Sequence, residues 1–285
     1  FLEVDPKNPY YFDREGNHCS YEHLLSIAPE GSSDMVTPER MAERFDEADA
    51  AMNQLRDTIA AAELDVLIVV GDDQNELFKM TNMPAVAIYY GDSIRNAERE
   101  QLPDDAPWYQ RARVQRQEPE GDVHYPVDSK LAQWLIRQLS DRDFDITAMS
   151  GLEEGQYEGH AFSFPHRRYL SDATLPVVPV LINTFDPPNQ PTPRRCVALG
   201  KALRELINEY PEDTRVGLLA SGGLSHFVVD EELDNALIDA FHTGNLDYLA
   251  NLDPVRLQAG SSEIRNWIVV AAAASGLAFD WVKYV

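Results

Sequence analysis

The stretch LIVVGDDQNELF, residues 67–78, decides how the chain is read. The aliphatic run from Asp65 to Val70 has strand length and shows no polar alternation, the pattern of a strand buried on both faces. It then breaks into Gly71-Asp72-Asp73-Gln74-Asn75-Glu76, a knot of carboxylates and amides. Open α/β sheets gather ligand-binding side chains at the carboxyl ends of such strands. A hydrated turn capped by aspartate side chains is the plainer alternative.

Working outward, Thr37-Pro38-Glu39 supplies an N-cap, a proline at the first helical position and an early acid, so a long helix is expected to run from there to about Leu64. Strands are expected at Ala85–Tyr90, Phe144–Ala148, Leu175–Ile182, Arg215–Ala220 and Phe279–Val285. Helices are expected at Tyr21–Ile27, at Ser129–Leu139, from the Asn183–Pro193 turn to about Tyr210, at Glu231–Thr243 and at Ser262–Ser275. Residues 92–125, charged and proline-containing, read as a surface excursion. Residues 150–170 (SGLEEGQYEGHAFSFPHRRYL) read as a glycine-bearing loop. Strands alternating with helices give an α/β fold, a single catalytic domain over 1–285 with a central mixed β-sheet flanked by helices. Within it, residues 1–36 form a loop-rich segment and 37–285 the α/β core. The sequence starts at Phe1 without methionine and stops at Val285 inside an apolar run, and is read as truncated at both ends.

Composition narrows the partners. With 24 basic against 48 acidic residues the formal charge is −24, which repels nucleic-acid backbones and anionic membrane surfaces alike. Cys19 and Cys196 show no spacing for a zinc knuckle or a disulfide framework, which suits a reducing cytoplasm. The longest apolar stretch, Trp267 to Ala274, is far short of a membrane span, and the first residues lack the regions of a signal peptide. A cytoplasmic protein is expected.

Several residues are chemically suggestive. Ser221-Gly222-Gly223-Leu224-Ser225-His226 follows the strand at 215–220. Its glycines permit positive φ or close backbone approach, and its histidine is either a satisfied structural residue or a general acid or base. The Gly-x-Ser-x-Gly spacing of a serine nucleophile is absent. Glu263 opens a helix, where an acid ordinarily serves the helix dipole. His160 lies between glycines and aromatics as a loop histidine. His18, His23, His124 and His242 show no paired ligand spacing.

Taken together, VVGDDQNELF, EGHAFSFPHRR, VPVLINTFDPPNQPTPRRC, SGGLSHFVVDEELD and SSEIRNWI, in this order, resemble the class III extradiol ring-cleavage dioxygenases. The likeness covers roughly residues 60–285. It is greatest to the 3-O-methylgallate dioxygenase branch and more distant to the catalytic subunit of protocatechuate 4,5-dioxygenase. The resemblance implies a non-haem Fe(II) enzyme that opens a catechol-type ring (gallate, 3-O-methylgallate or protocatechuate-like) with O2, taking a small aromatic diol as substrate; many relatives are homodimers. It implies that Glu263 is a metal ligand, that His226 is the acid/base histidine and that His160 is a second catalytic histidine near the bound diol. Arg167 and Arg168 are candidates to bind a substrate carboxylate, or simply balance the acidic surface.

Two departures stand out. The family's first histidine ligand is expected upstream of Phe1. Its second follows a strand in an Asn-Asp-His motif, where this chain reads Asp72-Asp73-Gln74, so Gln74 is expected to ligate weakly or through water. The alternatives are a non-catalytic, metal-free family member acting as a binding protein and, less favoured, a metal-dependent hydrolase.

Overall fold

The computed structural model describes residues 5–8, 10–170 and 172–285; the first four residues of the loop-rich segment lie outside it. The strands are β1 (Val66–Asp72), β2 (Val86–Tyr89), β3 (Ser93–Asn96), β4 (Val123–Pro126), β5 (Thr147–Met149), β6 (Val177–Ile182) and β7 (Val216–Ala220). The helices are α1 (Tyr21–Ile27), α2 (Pro38–Ala61), α3 (Trp108–Arg113), α4 (Ser129–Ser140), α5 (His160–Tyr169), α6 (Pro193–Glu209), α7 (Glu231–Thr243), α8 (Leu246–Ala250) and α9 (Ile264–Ala273).

Five strands make the central sheet in the order β5-β2-β6-β1-β7. β1 runs parallel to β6 and to β7, β2 runs parallel to β5, and β2 meets β6 antiparallel, so the sheet is mixed as the sequence implies. β1 is buried along its whole length. Its alternate side chains feed two cores: Val66, Ile68 and Val70 join the layer of α4, α6 and α9, whereas Leu67 and Val69 join Tyr125, Ala161 and Phe162 on the other face. This double burial is why the run reads as uninterrupted aliphatics. The α6–α9 contact is close because Gly200 lacks a side chain: a Cβ there would lie 2.2 Å from the Val269 carbonyl oxygen.

Helix starts follow their caps. The Thr37 side chain accepts the Arg40 N–H and Thr192 that of Arg195, each followed directly by proline.

Three expectations are corrected. Residues 279–285 form no strand: Lys283 pairs with Glu47 at 3.2 Å and the Tyr284 hydroxyl donates to Asp234 at 2.7 Å, so side chains anchor this segment to α2 and α7 and no ladder forms. Residues 160–169 are helical despite Pro165, because Ala161, Phe162, Ser163 and His166 are buried on one side. The excursion at 92–125 is built around β3 paired antiparallel with β4, and around a buried Glu118 that accepts hydrogen bonds from Asn96, Tyr125 and Arg167. Among the described residues no helix is long and apolar enough to cross a membrane.

Candidate metal centre and active site

β1, β6 and β7 are parallel, so their carboxyl ends open on one edge of the sheet, and there the candidate residues converge. Asp72 is the last residue of β1 and fully buried. Glu263 ends the short 3-10 turn Ala259–Glu263 that leads into α9. His160 is the first residue of α5. Ligand atoms of Asp72, His160 and Glu263 all lie within 4.8 Å of one another, with His160 Nε2 3.6 Å from Asp72 Oδ1. That Asp72 oxygen is buried and accepts no hydrogen bond. One imidazole and two carboxylates around an unsatisfied buried oxygen form an N/O donor set suited to a divalent first-row metal.

Gln74 sits at the mouth of this group. Its amide nitrogen donates to Asp72 Oδ2 at 3.2 Å and to Glu263 Oε1 at 3.3 Å, so it bridges the two carboxylates as a donor, where the sequence pointed to a ligand. The physical reason is charge: two buried carboxylates facing each other attract any N–H within reach. Asp73, by contrast, performs the plain turn function, accepting the Leu77 and Phe78 backbone N–H groups.

Two histidines flank the cluster. His160 presents Nδ1 to Glu76 Oε2 at 2.7 Å, its backbone N–H donates to the same oxygen at 2.9 Å, and Arg116 holds the far side of Glu76 at 2.6 Å. Burial pulls the His160 imidazole down, but the Glu76 hydrogen bond and charge, with Asp72 behind them, lift it to about 9. Burial pushes Glu76 up, and His160 and Arg116 overcome this to hold it at about 2. Burial and the Glu263 charge raise Asp72 to about 6 against the pull of His160 and Gln74.

His226 is held differently. Nδ1 lies 2.8 Å from the Leu224 carbonyl oxygen, which fixes Nδ1 as the donor and turns Nε2 toward Glu263 Oε1 at 3.4 Å. Glu263 Oε2 in turn accepts the Gly223 N–H at 2.8 Å. Gly222 makes this possible: its φ is +123°, and a Cβ there would meet Glu263 Oε2 at 2.6 Å. Phe227 follows in the left-handed region at φ 69°, turning the chain away from the site.

The remaining candidates lie elsewhere. Arg167 pairs with Glu118 at 3.0 Å and Arg168 with Asp49 at 2.7 Å; neither makes a hydrogen bond or ion pair with the cluster. The sequence places Asp72 and Glu76 in the carboxylate knot at the end of β1 but points to Gln74 as the ligand there, and it gives no sign of Arg116. Strand alternation does carry a signal for Asp72, since it follows Val66, Ile68 and Val70 on one face.

Residues 31–284 match the family model described as the catalytic LigB subunit of aromatic ring-opening dioxygenase. The chain belongs to this family. It is 43% identical over 103 residues to a gallate dioxygenase of Pseudomonas putida, covering 34% of this chain and 29% of that protein. It is 33% identical over 102 residues to a 2,3-dihydroxyphenylpropionate/2,3-dihydroxicinnamic acid 1,2-dioxygenase of Comamonas testosteroni, covering 35% and 30%. With the Mycolicibacterium gilvum protein of the same name it shares 28% identity over 185 residues, covering 65% and 50%. The matched stretches thus span half or less of these relatives' lengths. A crystal structure of an uncharacterized protein from Escherichia coli K12 aligns over 79% of this chain and 81% of its own, at 16% identity and a TM-score of 0.41.

Proposed function

We propose that the chain is an Fe(II)-dependent extradiol dioxygenase that opens a catechol-type ring, of gallate, 3-O-methylgallate or protocatechuate type, with O2. The observation that carries this is the convergence of Asp72, His160 and Glu263 at the carboxyl edge of the sheet, with His226 Nε2 directed at the same point. Family membership supports the chemistry. Asp72, His160 and Glu263 would hold the metal. Bound there, Fe(II) would draw the vicinal diol and dioxygen together and lower the diol's proton affinity.

The chain's own residues do the rest. With Nδ1–H committed to the Leu224 carbonyl, His226 offers the Nε2 lone pair as general base for a diol proton and afterwards returns that proton as an acid. Its elevated proton affinity, opposed by burial but carried by Glu263 and the Leu224 carbonyl, makes it a stronger base than a free imidazole. Glu76 fixes the tautomer and orientation of His160, so that Nε2 faces the cluster. Asp72 and Glu263 are themselves buried, which strengthens their electrostatic pull on a bound cation.

Gln74 favours a second reading, a metal-free binding protein, because its amide already donates a hydrogen bond to one oxygen of each carboxylate. Oxygen uptake by the anaerobically iron-loaded protein with gallate, 3-O-methylgallate and protocatechuate decides between them. Uptake coupled to loss of the aromatic absorbance supports ring opening; no uptake with any vicinal diol, together with no iron retained, supports the binding protein.

A further inference from the structure

Residues 221–226, which carry His226 away from β7, are pinned at their peptide groups by side chains from elsewhere in the chain. Asn266 Nδ2 donates to the Ser221 carbonyl at 2.9 Å, Trp267 Nε1 donates to the Gly222 carbonyl at 3.0 Å, and Glu263 Oε2 accepts the Gly223 N–H at 2.8 Å. These three come from α9 and the turn that leads into it. A fourth comes from α7, where Asp234 Oδ1 accepts the Ser225 N–H at 2.9 Å. Of the four, Asp234 is the one that acts on the peptide His226 touches: the carbonyl of that same Leu224–Ser225 peptide takes the His226 Nδ1–H at 2.8 Å.

Asp234 is 1% exposed, and a carboxylate so placed keeps its charge only where donors surround it. Besides the Ser225 N–H on Oδ1, the hydroxyls of Ser225 and Tyr284 both donate to Oδ2 at 2.7 Å. The Ser225 hydroxyl is aimed by a further bond: its oxygen accepts the Asp230 N–H at 2.7 Å, which leaves its proton for Asp234. Burial, with the Asp234 hydrogen bond and charge added to it, raises the Tyr284 phenol above its ordinary value, so that group stays a donor. Hydrogen bonds linked in this way polarise one another where water is excluded, so a carboxylate on the N–H of an amide strengthens the carbonyl of that amide as an acceptor.

We propose that Asp234 is a positioning residue for the general base: it acts through the Leu224–Ser225 peptide to hold His226 in one tautomer and one orientation, with the Nε2 lone pair toward the Asp72–His160–Glu263 cluster. The inference rests on the ring-opening reading, which gives His226 its task. At His160 a carboxylate meets the imidazole directly, whereas here one amide group stands between carboxylate and ring and transmits the orientation. Without the Asp234 charge the peptide is free to turn, its carbonyl leaves Nδ1, and the ring takes up the Nε2–H tautomer, which has no lone pair to offer a diol proton.

The test has two readouts. Nitrogen-15 NMR of the metal-free full chain reads the tautomer of the neutral His226 ring: the wild type should carry the proton on Nδ1, and Asp234→Asn, which keeps the shape and removes the charge, should show a mixture of both tautomers. A wild-type ring protonated on Nε2, or a variant ring with the wild-type tautomer, overturns the inference. Should Asp234→Asn not fold, hydrogen exchange of the wild-type Ser225 amide takes its place; protection supports the inference, and exchange at the rate of an open amide overturns it. Oxygen uptake with gallate by the iron-loaded protein is the second readout. Asp234→Asn should lower kcat by about tenfold or more with KM and iron content near the wild-type values. Tyr284→Phe, which strips a donor from Oδ2 and leaves the Ser225 N–H bond in place, should lower kcat by less than about threefold. Equal losses in the two variants would mean that Asp234 only braces the turn, and overturn the inference. A wild type that takes up no oxygen sinks the ring-opening reading, and the tautomer result then decides the role of Asp234 by itself.

Discussion

His160 and His226 face the same pair of carboxylates from opposite walls, and the difference between them lies at Nδ1. His160 hydrogen-bonds there to a charged carboxylate, Glu76, itself held by Arg116; His226 hydrogen-bonds there to the neutral Leu224 carbonyl. In the metal-free chain the charged partner lifts His160 to about 9, so a metal binding at Nε2 displaces a proton. The carbonyl partner fixes a tautomer without adding a formal charge, the arrangement a proton-transferring base requires. The His160 wall is built by a helix start and the Glu76–Arg116 ion pair. The His226 wall is built by a glycine turn whose backbone also holds Glu263.

Breaking the His226 wall has the largest expected effect. His226→Ala should lower the rate of oxygen uptake by about 10²–10⁴-fold while iron content stays at the wild-type level, as loss of a general base does. Retention of the wild-type rate would show that the proton goes elsewhere. Gly222→Ala strikes the same wall through the backbone. With φ at +123° and Glu263 Oε2 at 2.6 Å from the new Cβ, it should cost about 1–3 kcal/mol in urea unfolding and displace Glu263.

The His160 wall is sharpened by Glu76→Gln, which keeps the shape and removes the charge. His160 is raised in the folded chain above its ordinary value of about 6.5. That shift contributes stability fully present below the unfolded value and lost as pH rises through about 9. The substitution should therefore destabilise the metal-free chain more at pH 6 than at pH 10, and NMR titration should find the imidazole titrating well below about 9. Equal losses at both pH values would mean that the carboxylate acts through packing alone. The smallest effect belongs to Arg168→Gln, outside both walls. Its half-exposed pair with Asp49 is worth about 0–1 kcal/mol, and gallate affinity should not change.

The sequence made some of this legible and hid the rest, for physical reasons. β1 and the helices capped by Thr37 and Thr192 are local features, written in aliphatic runs, caps and prolines, and they form where those signals place them. The helix beginning at His160 was hidden because Gly159 and Pro165 read as breakers, while the burial that overrides them comes from distant strands. The strand expected at 279–285 drew on an apolar run, but the segment joins no ladder. At the site, Glu263 and the two histidines were carried by resemblance, whereas the partnership of Asp72 with Glu263 joins positions 72 and 263 and is set only by tertiary structure. Arg116 was hidden for the same reason: its ion pair with Glu76 joins residues far apart in the sequence.

The central claim is that Asp72, His160 and Glu263 form one metal centre. Its most direct test is anaerobic Fe(II) loading followed by desalting, with iron per chain measured for the wild type and for the isosteric variants D72N and E263Q. The account predicts one ion per chain in the wild type and loss of retained iron in both variants. A wild type that retains none, or variants that retain as much as the wild type, would contradict it.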